Sequence, residues 1–214
     1  MKNLNLISFS FPILILTGCR DPAENENTSS YDCTVEVLFE STKHEISGNI
    51  TMIKVFNNAR VTDISFANDM IGYVTGWNSL AGLAAIAKTT DGGDTWSTLT
   101  LWSEREYPTE VKFVDDNIGY ALTFSSNIYA TYNGGESWLF MKSFSDGYGY
   151  CSSVLNGDDI YIVASNRVFH TQSDFKTMES LYEGISLSKI VLSGKKLLIL
   201  TYQNEGESIL SINI

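Results

Sequence analysis

The sequence contains few cysteines, prolines and histidines: three, three and two, respectively, in 214 residues. Basic residues are also few, because 14 Lys and Arg stand against 25 Asp and Glu and give a formal net charge of −11. Proteins that bind nucleic acids use Lys and Arg to neutralise phosphates, and the densest basic cluster in this chain is Lys195-Lys196. We therefore expect no nucleic-acid partner.

Long helical patterns and long apolar runs are missing as well. No segment shows an extended amphipathic helical period, and no apolar run approaches the ~20 residues that a membrane-spanning helix needs. Aromatic residues, in contrast, make up 12% of the chain, and glycine occurs 16 times. This composition, with apolar segments that alternate around polar turns, predicts an all-β protein with one main domain at residues 33–214.

The N-terminus carries the features of an export signal. Lys2 precedes an apolar stretch of roughly ten residues, which ends in Leu16-Thr17-Gly18-Cys19. This tetrapeptide resembles a bacterial lipobox, in which small residues precede a cysteine that receives a diacylglycerol. The resemblance implies a signal peptide at residues 1–18, acylation of Cys19 and a lipid anchor in a membrane. An ordinary secretory signal that ends near a cysteine is the alternative.

The segment after the predicted cleavage site, residues 19–32, is rich in Asp, Glu, Asn, Ser and Thr. Such a composition cannot bury enough apolar surface to offset the entropy of ordering, so we expect a flexible tether. The residue after Cys19 is Arg20 and not Asp. By resemblance to known sorting patterns, this favours the outer membrane of the cell envelope, and the leaflet stays open.

A repeat organises the main domain, because the segment 61–96 recurs with changes as 108–138. In each copy two apolar segments alternate around a polar turn, Asn68-Asp69 in the first and Asp115-Asp116 in the second. This pattern predicts β-hairpins. Gly72 and Gly119 follow the turns, and we expect them to permit the close approach of a neighbouring backbone.

Each copy ends in a denser motif, Thr-Thr-Asp-Gly-Gly-Asp-Thr-Trp at 89–96 and Thr-Tyr-Asn-Gly-Gly-Glu-Ser-Trp at 131–138. In such a motif we expect side-chain oxygens to cap backbone N–H groups of a tight turn, glycines to take positive φ, and the Trp to pack between neighbouring sheets. The residues that we predict to build the two turns are Thr89, Asp91, Gly93, Thr95, Trp96, Thr131, Asn133, Gly135, Ser137 and Trp138.

Both motifs resemble the Asp-box, also called the BNR repeat, Ser/Thr-x-Asp-x-Gly-x-Thr-Trp. Together with the Ile-Gly-Tyr hairpins, they are similar to the propellers of photosystem II stability/assembly factor-like proteins and, more distantly, of sortilin-type and sialidase domains. The resemblance covers roughly residues 61–178 and implies a β-propeller in an extracytoplasmic setting. It implies no particular activity, because propellers host many unrelated functions.

Two further units follow. A hairpin at 154–163 precedes an eroded motif at 170–178 that lacks the glycines and the Trp, and a fourth unit covers 189–214. Units of about 40 residues match propeller blades, so we expect a small propeller of about four blades, or a partial propeller. Apolar strand candidates at 33–40 and 50–56 could add a fifth sheet, or one of them could pair with 208–214 and close the ring. A seven-bladed ring does not fit this length.

Two hypotheses describe the function. The first is a non-catalytic lipoprotein that binds an envelope protein or a glycan, with no metal or cofactor, since His44 and His170 are the only histidines. The alternative is a sialidase-like glycoside hydrolase or carbohydrate-binding propeller. Sialidases need an arginine triad, and Arg60, Arg105 and Arg167 lack the Arg-Ile-Pro context that such enzymes show.

Two pairs of residues complete the predictions. Trp77 and Trp102 are candidate ligand-binding residues on loops, because exposed aromatic side chains suit sugars and protein hot spots. Packing between blades is the alternative for each. Cys33 and Cys151 could form a disulfide in an oxidising compartment, and two buried thiols are the alternative.

Overall fold

The computed structural model describes residues 14–20, 32–37, 42–47, 50–56, 59–78, 83–103, 106–144, 151–164, 166–184, 186–203 and 206–214. These residues form nineteen strands and no helix. The described part of the chain is therefore all-β, as predicted, and it contains no helix that is long and apolar enough to cross a membrane.

Four N-terminal strands form two separate two-stranded sheets. One sheet contains β1 (Leu14–Arg20) and β2 (Asp32–Val37), and the other contains β3 (Thr42–Ser47) and β4 (Ile50–Lys54). β1 includes the predicted lipobox. Most of the predicted tether lies outside the described residues.

The repeats form four antiparallel sheets, each a simple meander. Sheet I contains β5 (Arg60–Phe66), β6 (Gly72–Asn78), β7 (Leu83–Thr89) and β8 (Ser97–Ser103). Sheet II contains β9 (Pro108–Phe113), β10 (Gly119–Thr123), β11 (Asn127–Thr131) and β12 (Leu139–Ser143). Sheet III contains β13 (Cys151–Asn156), β14 (Asp159–Ala164), β15 (Arg167–Gln172) and β16 (Met178–Glu183). Sheet IV contains β17 (Ser186–Ser193), β18 (Lys196–Gln203) and β19 (Gly206–Asn213).

The four predicted hairpins are confirmed, each joining the first two strands of a sheet. Their turns use the expected side-chain chemistry. Asn68 Oδ1 accepts hydrogen bonds from the backbone N–H groups of Met70 and Ile71, and Asp115 Oδ1 does the same for Asn117 and Ile118. A short side-chain acceptor thus holds each turn in place.

Glycine follows these turns for a reason that differs from our expectation. Gly72 lies opposite Phe66 in the β5–β6 register, and Gly119 lies opposite Phe113 in β9–β10. A Cβ atom at either glycine would lie 2.7 Å from the ring of that phenylalanine. The close neighbour is therefore an aromatic ring lying across the strand, and not a backbone.

The core lies between successive sheets. Tyr73 and Ile86 of sheet I pack with Val111 and Phe113 of sheet II. A larger cluster that includes Leu122 joins sheets II and III, and another joins sheet III to sheet IV. The first strands of successive sheets contact one another in chain order, β5 with β9, β9 with β13 and β13 with β17. The sheets are therefore stacked face to face in a series, with their first strands along a shared inner edge.

The first and last sheets do not show the predicted closure of the ring by an N-terminal strand. Residues 208–214 pair with none of the described N-terminal strands: β19 pairs with β18, β4 pairs with β3, and β2 pairs with β1. Among the described strands, no contact as extensive as those between successive sheets joins sheet IV to sheet I. Sheet IV has three strands where the others have four.

Candidate functional site

We call the end of the sheets that carries the hairpin turns and the two dense motifs the turn end. In the motif at 89–96, Thr89 Oγ1 accepts hydrogen bonds from the N–H groups of Asp91 and Gly93. The Asp91 carboxylate accepts from Thr95 N at 2.9 Å and from Thr95 Oγ1 at 2.6 Å. Gly92 and Gly93 have φ of 73° and 97°, values that favour glycine. Side chains and backbone together lock this turn.

The electrostatics of the turn follow from these bonds. Hydrogen bonds from the Thr95 side chain and backbone, followed by that from Thr89, lower the pKa of the exposed Asp91 to about 2. The carboxylate is thus used as an acceptor within its own turn. Every one of these contacts is local, so Asp91 builds the scaffold.

The motif at 131–138 keeps the same frame with the uncharged Asn133 at the position of Asp91. Thr131 Oγ1 accepts from Gly135 N at 2.9 Å, and Asn133 Oδ1 accepts from Ser137 N at 3.0 Å. The amide Nδ2 of Asn133 donates to Ser137 Oγ, the reverse of the bond that Thr95 donates to Asp91. Asparagine therefore replaces aspartate with the donor and acceptor roles exchanged.

The tryptophans of both motifs hold the turns against the sheets. Trp96 Nε1 donates to Gly93 O, and Trp138 Nε1 donates to Gly135 O. Each ring meets a phenylalanine edge to face at 6.1 Å, Phe66 for Trp96 and Phe113 for Trp138. Trp138 packs into the cluster between sheets I and II. Trp96 packs into a cluster on the other side of sheet I, where Phe56 lies.

The third, eroded turn uses a residue that the sequence pattern did not single out. Phe175 stands where the other motifs have Gly93 and Gly135, and it keeps their left-handed backbone with φ of 52°. Its side chain is 8% exposed and meets Tyr120 of sheet II edge to face. The strained conformation is stabilised by burying a large ring between two sheets.

A repeated hydrogen bond joins the first strands of successive sheets. Asp63 Oδ2 on β5 accepts from Val111 N on β9, and Glu110 Oε1 on β9 accepts from Ser153 N on β13, both at 3.0 Å. Ser152 Oγ on β13 accepts from Ile190 N on β17 at 3.5 Å. Asp63, Glu110 and Ser152 occupy one repeat position, which the sequence pattern did not reveal because the three residue types differ.

Glu110 is the centre of a buried polar cluster. It also accepts a bond from Ser153 Oγ, and the hydroxyls of Ser153 and Tyr120 lie 2.6 Å apart. Lys112 Nζ is 3.6 Å from its carboxylate. Burial raises the pKa of Glu110 and outweighs the opposing effect of Lys112. Burial also raises the pKa of Tyr120 well above its ordinary value.

The opposite end of the sheets, the loop end, brings together aromatic side chains from two sheets. Trp77 belongs to β6 and not, as expected, to a loop. The Trp77 ring is half-buried and lies 4.8 Å from the ring of Tyr107, at the start of sheet II. The guanidinium of the exposed Arg60 lies 6.0 Å from the Trp77 ring centroid. We call Arg60, Trp77 and Tyr107 the aromatic cluster.

The second predicted ligand residue, Trp102, lies in β8 with its backbone opposite Ala84. Ala84 lies opposite Trp77 on its other side. The two tryptophans therefore belong to one row across sheet I, although the Trp102 side chain falls outside the described residues.

Hydrogen bonds from sheet II fix the position of Tyr107. Its neighbour Glu106 accepts from Thr123 Oγ1 at 2.8 Å and from Asn127 Nδ2 at 2.7 Å. The carbonyl of Tyr107 accepts from Phe124 N at 2.8 Å. The ring of Tyr107 is thus held from its own sheet while it contacts Trp77 on the neighbouring sheet, which makes the aromatic cluster a preformed surface.

His170 lies on β15 between two carboxylates. Its Nε2 is 2.9 Å from Asp159 Oδ1, and its Nδ1 is 2.9 Å from Glu179 Oε1. Partial burial lowers the pKa of His170, but the hydrogen bonds to Asp159 and Glu179 outweigh it and the pKa is raised. Throughout the described residues, no group of three or more His, Cys, Asp or Glu side chains could hold a metal ion.

The three cysteines lie in two places. Cys19 and Cys33 face each other in the β1–β2 backbone register, and their side chains are outside the described part of the chain. Cys151 begins β13 as a free cysteine, and burial raises its thiol pKa to about 11. This corresponds to the buried-thiol alternative for Cys151, while a disulfide with Cys33 stays a prediction.

Comparison with solved structures identifies the architecture. A structure of YCF48 bound to D1 peptide matches with a TM-score of 0.54 and 17% identity over 76% of this chain, and YCF48 from Cyanidioschyzon merolae matches with 0.55 and 18% over 78%. The computationally designed Ika4 protein matches with 0.52 and 12% over 74%. The fold is a small β-propeller.

These likenesses concern the fold alone. The propeller spans 59% and 58% of the two YCF48 chains, but 93% of the designed chain. No protein-family model matches the sequence, and no curated protein matches it significantly. The four sheets are the blades of the propeller, and the aromatic cluster lies where its first two blades meet at the loop end.

Proposed function

We propose that this propeller is a non-catalytic binding module of the cell envelope, anchored by lipid at Cys19, and that it binds an extended segment of a partner protein at the aromatic cluster. One observation carries the proposal: Trp77 and Tyr107 come from different blades, touch each other, and are overlaid by the Arg60 guanidinium. Trp, Tyr and Arg are the residue types that dominate protein-binding hot spots.

The ligand class follows from the shape and chemistry of this cluster. Two flat rings give a large contact area with little entropy lost on binding, because each has only two side-chain torsions. Arg60 adds donors for a backbone carbonyl or a carboxylate. The YCF48 structure with a bound D1 peptide is a propeller of similar fold with a peptide ligand, which supports a peptide as the ligand class here.

The lipid anchor rests on the lipobox resemblance. Cleavage before Cys19 would remove residues 14–18 from β1, so the β1–β2 pair belongs to the precursor chain. We expect cells that express the full chain to incorporate an alkyne-labelled fatty acid into it. Cys19→Ser should abolish the label and leave the protein's amount unchanged, and a label that persists in this variant would contradict the anchor.

Binding is tested with a phage-displayed library of random peptides, panned on the full chain and on Trp77→Ala. Because Trp77 is only half-buried, the variant should fold, and we expect it to lose the peptides that wild type enriches. Phe140→Ala, which removes a 56% exposed ring from the outer strand of sheet II, is the matched control and should keep them. Enrichment that is equal on all three proteins would refute the site.

A glycan is the second candidate ligand, because the accessible side of Trp77 also suits the apolar face of a sugar ring. An oligosaccharide array probed with the same three proteins distinguishes the two classes. Trp77-dependent binding to glycans, without enrichment of peptides, would favour a carbohydrate-binding propeller.

A further inference from the structure

The outer side of sheet IV is an apolar surface that none of the described sheets covers. Ile190, Leu197 and Ile199 pack against sheet III, so the residues that alternate with them lie on the other side of sheet IV, and we call six of those residues face IV. Val191 is 48% exposed, and three further members are apolar too. The residues of face IV are Lys189, Val191, Lys196, Leu198, Leu200 and Ile209.

Comparison with sheet III shows what face IV lacks. Leu200 and Ile209 are 45% and 66% exposed. Their repeat equivalents on sheet III, Val163 and Val168, are fully buried under sheet IV. Face IV thus has the composition of a blade surface that normally carries the next blade.

The first blade also has an exposed apolar surface, on the side that faces away from sheet II. Val61, Ile64 and Phe66 of β5, which we call face I, are 56%, 56% and 42% exposed. Ile64 and Phe66 are the repeat equivalents of Val111 and Phe113, which are 0% and 5% exposed against sheet I. Phe56 covers another part of this side of sheet I, but face I lies open.

We propose that two copies of this chain complete one ring, in which face IV of each copy packs against face I of the other. The apolar residues of each copy reproduce both sides of an interface that already occurs three times within the chain. A second copy therefore supplies both missing halves at once, in two identical contacts related by a two-fold axis.

The internal interface predicts the central contact. Phe113 of sheet II stacks on Tyr73 of sheet I with ring centroids 3.5 Å apart. Leu198 occupies the repeat position of Tyr73 on sheet IV, and Phe66 occupies that of Phe113 on sheet I. In the ring, Phe66 of one copy lies on Leu198 of the other.

Charge complementarity also favours a second copy. Face IV carries Lys189 and Lys196, and Lys195 lies in the adjoining turn, all exposed. The turn end of sheet I carries the carboxylates of Asp69 and Asp91. Successive blades align their turn ends, so closure brings opposite charges together, and the contact should weaken as salt rises.

The experiment uses the full chain with Cys19→Ser, kept in detergent, and measures its mass by light scattering over a range of concentrations. We expect a dimer. Leu200→Glu places a charge in both contacts of the ring and should raise the dissociation constant about a hundredfold or more. Leu139→Glu makes the same substitution at a 56% exposed site on β12 and should leave the dimer intact.

Cross-linking locates the contact. In a background without Cys33 and Cys151, chains with Phe66→Cys and chains with Leu198→Cys are mixed and oxidised. We expect a disulfide-linked pair only from the mixture. A monomeric wild type, a dimer that Leu200→Glu does not weaken, or larger polymers would overturn the two-copy ring. A disulfide within single chains that carry both cysteines would overturn it too, because the ring would then close alone.

Discussion

The buried carboxylate of Glu110 gives a quantitative test of how the blades are joined. Its side chain is 14% exposed, and it accepts hydrogen bonds from Ser153 N and Ser153 Oγ on the next blade. Glu110→Gln keeps an acceptor for these donors but removes the charge. Glu110→Ala removes both. The two variants therefore separate the hydrogen bond from the cost of burying a charge.

The hydrogen-bond acceptor at position 110 determines the difference in the free energy of unfolding between the Ala and Gln variants. Glu110→Ala leaves the Ser153 N–H without its partner, and an unsatisfied buried donor costs about 1–3 kcal/mol. We expect the free energy of unfolding of Glu110→Ala to lie about 2 kcal/mol below that of Glu110→Gln at every pH. For a domain of this size, that is a difference in Tm of about 4–8 °C.

The charge of the Glu110 carboxylate determines how the stability of the wild type depends on pH. Burial raises the pKa of Glu110 above its ordinary value of 4.5, so the native state holds the proton more tightly than the unfolded chain. The resulting stability is present below pH 4.5 and is lost as the pH rises through the raised native pKa. Relative to the wild type, Glu110→Gln should therefore gain stability from acid to neutral pH.

Urea denaturation followed by tryptophan fluorescence, at several pH values, measures both effects. Glu136→Gln, at an exposed carboxylate in the second turn motif, is the control and should change stability by less than about 0.5 kcal/mol. Equal stabilities of the Ala and Gln variants would refute the bridge between blades. A Gln-to-wild-type difference that does not vary with pH would refute the buried charge.

Two further predictions follow from the described contacts. His170 has a raised pKa between Asp159 and Glu179, so its contribution is complete below its ordinary value of 6.5 and is lost as the pH rises through the raised value. The Tm difference between wild type and His170→Gln should shrink from pH of about 5 to about 8 in a thermal scan, and a constant difference would contradict the ion pairs. Thr131→Val removes a buried hydroxyl that accepts from Gly135 N, and should lower the free energy of unfolding by about 1–2 kcal/mol in urea. Thr90→Val, at an exposed position in the first motif, should be nearly neutral, and equal losses for both would show that the turn hydroxyls do not matter.

The hairpins and the dense motifs could be predicted because their information is local. A period of two, an Asn or Asp in the turn and a glycine beyond it are visible in a few consecutive residues, and the strands β5, β6, β9 and β10 follow from them. The partner of the last strand, on which closure of the ring within one chain depends, could not be predicted in this way. The apolar pattern of 208–214 fits a strand, but the pattern does not say which strand pairs with it.

The contacts between blades escaped prediction for a different reason. Asp63, Glu110 and Ser152 perform one task with three residue types, so no repeated letter marks the position. Other polar residues, such as Thr62, Thr109 and Ser153, stand in the same strands, so polarity alone does not mark the position. Phe175 was hidden similarly, since a phenylalanine does not indicate a left-handed backbone.

The aromatic cluster was half predicted. Trp77 is predicted as a ligand-binding aromatic residue on a loop, and it lies instead in β6, at an end of the sheets. Arg60 and Tyr107 join it only because β5, β6 and the start of sheet II converge there, which is a long-range property of the fold.

The direction of the bonds between blades has a consequence for biosynthesis. Each acceptor, Asp63, Glu110 or Ser152, is translated before the N–H group that it satisfies on the following blade. A strand leaving the ribosome therefore finds its polar partner already in place, and the next blade is always added to the most recent one. Assembly can proceed from the N-terminus as a zipper, with each finished blade acting as the template for its successor.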